Sequence, residues 1–195
     1  ADAAALEKAK ADLKFQLGPN VCGGMGTGAD PTVGARAFEE SEDLVNTFKD
    51  KKALHCIIAG LGAGTGSGVA PLLAEAMKQR GHRLTAILTM PFNCEGKKRT
   101  GQAEVSLGMF RSSVPFPVVV KNQDVLGMID KSATLQDGFN LCDSIVTYAL
   151  EQILALVMKE PLRTTTVPQE SDYHRILKDT LPFTLADVKR QLQLT

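Results

Sequence analysis

The chain has 195 residues, 44% of them hydrophobic, and its 22 Lys and Arg balance its 22 Asp and Glu, so the formal net charge is zero. A chain of this length and apolar content can bury a real core, which excludes an intrinsically disordered protein. The zero net charge argues against a nucleic-acid-coating protein, and no run of apolar residues is long enough to predict a membrane span.

The first quarter of the chain predicts two helices on either side of a glycine loop. Residues 3–13 have the composition of a short helix, and residues 18–29 form the loop. Asp30 is a favourable N-cap and Pro31 a favourable first helical residue. We therefore expect the second helix to begin at Pro31 and to continue to about Phe48.

Short apolar runs alternate with helical patterns through the middle of the chain. The runs of strand length are 53–59, 84–90 and 116–120. The helical patterns cover 69–81, 97–110 and a long apolar stretch at 135–158. Strand, helix, strand, helix, strand is the order of a parallel α/β sheet with right-handed crossovers, and such sheets bind ligands at the carboxyl ends of their strands.

The last part of the chain departs from this alternation. Residues 160–181 contain two prolines, a threonine run and mixed charges, which predict a surface excursion with a short helix near 172–178. A short amphipathic helix is expected over 186–194.

Eleven of the 17 glycines fall in two windows, 18–34 and 60–68. Glycine is unfavourable inside helices and strands, so such clusters indicate tight bends or the close approach of a ligand. The second window lies directly between a predicted strand and a predicted helix. The N–H groups of a helix N-terminus attract anions, and Thr65 and Ser67 add hydroxyl donors, so this window predicts a phosphate site.

Two common phosphate motifs do not fit this second window. A Walker A loop ends in Gly-Lys-Ser/Thr, and the window has no lysine. The dinucleotide fingerprint G-x-G-x-x-G is not satisfied from any of its glycines, which argues against a dinucleotide-dependent oxidoreductase. The four cysteines and three histidines form no metal-binding spacing, so we assign no metal ligands and expect buried, reduced thiols.

Three segments, in this order, resemble motifs of one family. Residues 24–31 resemble GLGAGANP, residues 62–68 resemble GGGTGSG with Ala63 in place of one glycine, and residues 91–99 resemble PFxxEGKKR. The chain therefore resembles the FtsZ branch of the tubulin superfamily from residue 2 to about 155. This resemblance implies a three-layer α/β domain, with a parallel sheet between helices, that covers 1–158, binds GTP or GDP with Mg²⁺ and ends in a long core helix.

The same resemblance implies a role for each matching residue. The residues that would cradle the phosphates are Gly62, Ala63, Gly64, Thr65, Gly66 and Ser67. The residues that would lie near the γ-phosphate are Thr27, Gly28 and Ala29. Asp2 resembles an acidic residue near the metal and phosphates, with terminal disorder as the alternative.

Ribose and base have their own matching residues. Glu95 and Arg99 would hold the ribose, although residues four apart on a helix also form ordinary surface ion pairs. Asn122 and Asp143 would bind the guanine edge, and a carboxylate suits the base because guanine presents two N–H donors. Phe139 would stack on the base, with core packing as the alternative.

The chain also departs from the family pattern. Only Ala1 precedes Asp2, where the family has an opening strand and a first glycine loop, so we expect the native protein to be longer. The family's catalytic loop NxDFxDV corresponds to 182–188, within a segment 182–195 that also includes the expected short helix; Asp187 keeps the second acid, but Thr184 replaces the first. We expect residues 159–181 to form an atypical insertion and the family's second domain to be absent from this chain.

These features lead to two functional hypotheses. The first is a cytoplasmic, GTP-hydrolysing cytoskeletal protein that self-associates head to tail into filaments, with Asp187 completing the active site of the adjacent subunit. Its further partners would be other FtsZ-like subunits or division proteins, with no nucleic acid and no direct membrane insertion. The alternative is a non-hydrolysing structural or regulatory filament component, because Thr184 cannot carry the charge of the acid it replaces.

Overall fold

The structure is a computed structural model that describes residues 1–115, 117–128 and 132–159. Its helices are α1 (Ala3–Lys8), α2 (Pro19–Cys22), α3 (Pro31–Glu40), α4 (Gly64–Gln79), α5 (Lys97–Ser113), α6 (Asn122–Val125) and α7 (Leu135–Lys159). Its strands are β1 (Leu54–Gly60), β2 (Arg83–Met90) and β3 (Val118–Lys121). Short 3₁₀ turns cover Glu42–Thr47, Asn93–Glu95 and Leu126–Met128.

The three strands form the expected parallel sheet, in the order β1-β2-β3. Ile57 on β1 is opposite Ala86 on β2, and Thr89 on β2 is opposite Val120 on β3. Because each strand is followed by a helix that returns the chain to the other end of the sheet, neighbouring strands run in the same direction.

Two hydrophobic clusters cover the two faces of this sheet. Leu88 of β2 joins a cluster with residues of α4 and α5, such as Met77 and Phe110. Ile87, its neighbour on the strand, points to the opposite face and joins a cluster with residues of α7, such as Ile153. Successive strand side chains alternate between faces, so the sheet lies between two layers of helices, as the sequence predicts.

A proline inside α4 is accommodated by a neighbouring helix. Pro71 has no N–H, so the carbonyl oxygen of Ser67, four residues earlier, loses its helical hydrogen bond. The buried hydroxyl of Ser106 on α5 donates to that oxygen at 3.1 Å. The contact compensates the proline and joins α4 to α5.

Several boundaries differ from the sequence prediction. The first helix was expected to reach residue 13 but ends at Lys8, because none of its residues is buried and packing does not support a longer helix. The next was expected to reach Phe48, but α3 ends at Glu40 and continues as a 3₁₀ turn. There the Ser41 hydroxyl accepts the Gly18 N–H at 2.9 Å, and the Glu40 carboxylate accepts the N–H groups of Asn20 and Val21 at 3.0 Å.

The long core helix is present as α7, and its predicted range is confirmed to within a residue. The expected insertion, the helices near 172–178 and over 186–194, and the catalytic-loop residues Thr184 and Asp187 lie outside the described residues. In the described part of the chain, no helix is both long and apolar enough to cross a membrane.

Candidate nucleotide-binding site

The predicted site residues follow three adjacent strand ends. β1 ends at Gly60, β2 at Met90 and β3 at Lys121, and the parallel strands place these ends along one edge of the sheet. Residues 62–67 follow β1, Glu95 and Arg99 follow β2, and Asn122 follows β3. The topology therefore brings these residues to a single edge, where open α/β sheets bind their ligands.

The helix after β1 begins earlier than predicted. It was expected to open at Val69, but α4 begins at Gly64, so most of the predicted glycine loop is the first part of a helix. Its first internal hydrogen bond joins the Ser67 N–H to the Ala63 carbonyl at 3.0 Å. The N–H groups of Gly64, Thr65 and Gly66 thus have no partner within the helix, and Ala63 supplies no side-chain cap, which leaves three donors for an anion.

Ser67 and Thr65 lie differently at this helix start. Ser67 is buried, and its hydroxyl accepts the Gly62 N–H at 2.7 Å. Gly62 itself has φ +97°, a conformation that favours glycine. Ser67 therefore holds the loop that leads into α4, whereas Thr65 is exposed.

At the three glycines that alternate along the start of α4, a Cβ would collide with other atoms of the protein. A Cβ on Gly64 would lie 2.0 Å from the Thr27 hydroxyl, and one on Gly66 would lie 1.8 Å from the Gly60 carbonyl oxygen. A Cβ on Gly68 would lie 2.2 Å from the carbonyl oxygen of Pro31. The glycines thus let α4 approach the first glycine loop and the end of β1 closely.

Thr27, Gly28 and Ala29 form a tight turn against the start of α4. Gly28 has φ +59° and Ala29 has φ +60°, and Ala29 is the one non-glycine with positive φ among the described residues. A left-handed conformation is unfavourable for alanine, so the surrounding contacts must hold this turn. The following Asp30 is the expected N-cap of α3 and accepts the Thr32 N–H at 2.8 Å.

Asp2 lies beside the same loop. Its side chain caps α1 by accepting the Ala5 N–H at 3.0 Å, and its backbone forms a bridge with Met25. A Cβ on Gly26 would be 3.8 Å from the Asp2 carboxylate. Asp2 is therefore ordered and next to the first glycine loop.

Glu95 and Arg99 form an ion pair at the second strand end. The Arg99 guanidinium donates to one carboxylate oxygen of Glu95 at 2.5 Å, and the Phe92 N–H donates to the other at 2.8 Å. The Arg99 carbonyl oxygen would be 3.0 Å from a Cβ on Gly62, so α5 begins in contact with the loop that follows β1. The pair that resembles the ribose site thus adjoins the candidate phosphate loop.

The side chain of Asn122 is buried at the third strand end. It is only 6% exposed, and its Oδ1 has no hydrogen-bond partner. A buried acceptor without a partner costs on the order of 1–3 kcal/mol. This unpaired acceptor fits a ligand that presents N–H donors, as the guanine edge does.

Phe139 and Asp143 lie one helical turn apart on α7. The Phe139 ring meets the buried Phe92 ring edge-on, with 5.0 Å between centroids, and stays 37% exposed. Asp143 is exposed. Phe139 therefore combines a contact to the core with an accessible ring, and its stacking on the base stays a prediction.

Two residues without a predicted role connect these parts. Phe92 joins Glu95 through its N–H and Phe139 through its ring. The Gln123 side chain accepts the Asn93 N–H at 3.0 Å and so ties the loop after β2 to the turn after β3. Phe92 lies in the motif that carries the resemblance, but the sequence gives no sign of what its ring contacts.

The predicted catalytic residue Asp187 lies outside the described residues. The described chain contains no group of three or more His, Cys, Asp or Glu side chains that could hold a metal ion.

Comparisons with known proteins identify the family to which this chain is similar. The model of the tubulin/FtsZ family, GTPase domain, matches residues 1–130. The cell division protein FtsZ of Buchnera aphidicola subsp. Baizongia pistaciae is 34% identical over 161 residues, which are 83% of this chain and 42% of that protein. Cell division protein FtsZ 2 of Rhizobium meliloti is also 34% identical over 161 residues, 83% of this chain and 46% of that protein.

Solved structures of related proteins show the same fold. An empty FtsZ dimer from M. jannaschii superposes with a TM-score of 0.75 at 32% identity, covering 85% of this chain and 48% of that one. This chain spans about half the length of the FtsZ proteins that it matches. From the family model, the identity to FtsZ and the shared fold together, the chain belongs to the tubulin/FtsZ family and carries its GTPase domain.

Proposed function

We propose that this chain binds GTP at the carboxyl edge of its sheet and hydrolyses it as a filament-forming, FtsZ-type cytoskeletal protein of the cytoplasm. The proposal rests on two sets of hydrogen-bonding groups that have no partner in the described part of the chain and lie at the same end of the sheet. The N–H groups of residues 64–66 need an acceptor, and the Asn122 Oδ1 needs a donor. A guanine nucleotide offers phosphate oxygens to the first and base N–H groups to the second.

The remaining site residues take roles around such a nucleotide. Gly62 to Ser67 would hold the phosphates, with Thr27 to Ala29 beside the terminal phosphate. Glu95 and Arg99 would bind the ribose, and Phe139 and Asp143 the base. Mg²⁺ would enter with the nucleotide, because it readily takes phosphate oxygens and water as ligands, and would neutralise phosphate charge.

Hydrolysis would need a second subunit. Phosphoryl transfer depends mainly on positioning and charge stabilisation, so a carboxylate that orients the water is the missing component. By the resemblance of residues 182–188 to the family's catalytic loop, Asp187 of one subunit would orient the water in the next. Head-to-tail assembly would then complete each site, and the dimer of the related FtsZ supports such self-association.

The test is phosphate release from radiolabelled GTP, measured against protein concentration. If assembly completes the active sites, turnover should show a lag and a critical concentration, because the site of a monomer lacks the acid that the adjacent subunit supplies. Asp187→Ala should abolish turnover and leave GTP binding unchanged. Asp172→Ala, which removes an acid from the segment 159–181, should affect neither turnover nor GTP binding. Full turnover by Asp187→Ala would show that the assigned role is wrong.

A non-hydrolysing filament component is the second candidate, and Thr184 favours it. If the missing acid limits the reaction, Thr184→Asp should raise turnover about 10²- to 10⁴-fold, the contribution of one general acid–base group. Turnover by the unaltered chain that equals the blank, together with GTP binding, would support the structural function. Failure to bind GTP would contradict both candidates.

A further inference from the structure

Two histidines face each other at the amino edge of the sheet, opposite the candidate nucleotide site. His55 is the second residue of β1, and His82 directly precedes β2. The His82 side chain is buried, with 7% of the residue exposed. Neither residue belongs to the machinery proposed for GTP.

The two rings are in hydrogen-bonding contact. His82 Nδ1 lies 3.2 Å from His55 Nε2, and the same His55 Nε2 lies 3.0 Å from the backbone carbonyl oxygen of Asp50. The rings pack edge-on at 4.9 Å between centroids, and Phe48 covers the His55 ring at 5.7 Å. The contact therefore joins the turn before β1, β1 itself and the residue that leads into β2.

This geometry assigns a protonation state to each ring. The carbonyl oxygen of Asp50 can only accept, so His55 Nε2 must carry a proton. The single His55 Nε2–H is then shared between the Asp50 oxygen and His82 Nδ1, so His82 Nδ1 must be the unprotonated nitrogen and His82 carries its proton on Nε2. A second proton on His82 would set two N–H groups against each other, and relieving the clash would cost His55 its bond to Asp50.

The charges around His82 act in the same direction. Lys51 of the turn before β1 and Arg80 at the end of α4 are its cationic neighbours, and Arg83 follows it in the chain. The Glu42 carboxylate pairs with Arg80 at 2.8 Å and partly offsets its charge, and the Asp50 carboxylate accepts the Lys52 N–H at 2.9 Å. Protonation of His82 would thus add a positive charge near Lys51 and Arg80.

We propose that the His55–His82 pair is an acid-sensitive contact that fastens the amino ends of β1 and β2 while both rings are neutral and is released when His82 takes up a proton.

The sign of the pH dependence follows from the protons that each state binds. Burial, then His55 and Lys51, lower the pKa of His82 below its ordinary value of 6.5. As the pH falls below 6.5, the unfolded state binds more protons than the folded state, so stability declines. Above that pH the stability is fully present.

The first test is nitrogen NMR of the ¹⁵N-labelled, full 195-residue chain. At pH 7.5 we expect His82 with its proton on Nε2 and His55 with its proton on Nε2, and on acidification we expect His82 to titrate below 6.5. A proton on His82 Nδ1 at pH 7.5, or a midpoint at or above 6.5, would overturn the proposal. The NMR measurement tests the proposal even if the variants of the second test do not fold.

The second test compares urea unfolding at pH 7.5 and 5.5. For the unaltered chain we expect the unfolding equilibrium constant to rise several-fold at the lower pH, with a limit of about tenfold per unit of difference between the two pKa values. His82→Gln should remove that rise, and His174→Gln, the matched loss of the third histidine, should retain it. An equal rise in His82→Gln and the unaltered chain would refute the acid-sensitive contact.

Discussion

Gly66 occupies a position where a side chain cannot fit. A Cβ there would lie 1.8 Å from the Gly60 carbonyl oxygen, a backbone atom that cannot move without distorting β1. We therefore expect Gly66→Ala to lower the free energy of unfolding by about 3 kcal/mol, the upper range of overpacking. The check is the midpoint of urea unfolding.

Gly108 provides the matched control, because it lies in a helix, α5, and a Cβ there would have no atom within 4 Å apart from its chain neighbours and the backbone of its own helix. Gly108→Ala should raise stability by about 0.5–1 kcal/mol through helix propensity. If both substitutions changed stability alike, the contact between Gly66 and β1 would be refuted.

Cys94 differs from the other three thiols in its environment. It is exposed, whereas Cys22 and Cys142 are buried, and burial raises the pKa of both Cys56 and Cys142 to about 11. At pH 8 those two are almost entirely protonated and unreactive. A chromogenic disulfide reagent should therefore modify one thiol quickly in the folded chain.

The proposed site adds a second expectation for Cys94, which adjoins the ribose-binding candidate Glu95. Saturating GTP should slow the fast reaction by covering the thiol, and Cys94→Ser should remove the fast phase altogether. A fast phase that survives in Cys94→Ser would show that another cysteine is accessible. If GTP does not change the rate at which Cys94 is modified, the nucleotide does not bind near the 3₁₀ turn that contains Cys94.

Candidate site residues could be named from the sequence, but their contacts could not. The resemblance to family motifs pointed to Gly64, Glu95 and Asn122, whose roles toward a nucleotide stay predictions, and the structure places all three at the same end of the sheet. That Ser67 turns inward to Gly62 follows only from where α4 begins. The sequence likewise contains no sign that Thr27 fills the space beside Gly64, since this contact joins distant residues.

Helices α4 and α5 share a hydrogen bond that replaces one removed by proline. Ser106 is 3% exposed, and its hydroxyl supplies the donor that Pro71 cannot give to the Ser67 carbonyl. Ser106→Ala should leave that buried oxygen unpaired and cost about 1–3 kcal/mol. Thermal or urea unfolding measures the loss.

Ser112, on the same helix, is the control for Ser106. Its hydroxyl donates to the Met109 carbonyl at 2.7 Å but is exposed, so water can replace it. Ser112→Ala should change stability by no more than about 0.5 kcal/mol. A loss for Ser106→Ala as small as that of Ser112→Ala would mean that the Ser67 carbonyl finds another donor.

Strands and the long helix were predictable as elements, whereas helix ends were less so. β1 and β2 are recognisable as apolar runs of strand length, and α7 as a helical pattern over 25 residues. Tertiary contacts favour the same structures. The start of α4 was missed because glycine disfavours helices in isolation, and packing against the first glycine loop outweighs that preference. The short α6 has only four residues, too few for a periodic signal.

At the scale of the whole molecule, one sheet separates two hydrophobic clusters. The order of strands and helices predicted a parallel sheet, since nearly all such crossovers have the same hand. It did not predict the contacts between the strand ends, such as the hydrogen bond that the Asn93 N–H donates to the Gln123 side chain. Those contacts decide whether phosphate, ribose and base residues form one site.

A truncated side chain should destabilise a different set of helices in each of the two hydrophobic clusters. Ile87 and Leu88 are neighbours on β2, and both are fully buried, but Ile87 packs under α7 and Leu88 under α4 and α5. Alanine at either position should cost about 2–5 kcal/mol. α7 is the last described element, and its packing on the sheet rests on the Ile87 face, so it can loosen without the rest.

Native-state hydrogen exchange, followed by mass spectrometry of peptides, distinguishes the two substitutions. Ile87→Ala should speed exchange mainly in α7 and leave α4 protected, whereas Leu88→Ala should speed exchange in both helices. Because Phe139 and Asp143 lie on α7, Ile87→Ala should also weaken GTP binding more than Leu88→Ala does. Equal acceleration of α4 and α7 in both variants would instead show that the two faces of the sheet unfold as one cooperative unit, and the candidate base-binding residues of α7 would then be as stable as the candidate phosphate loop.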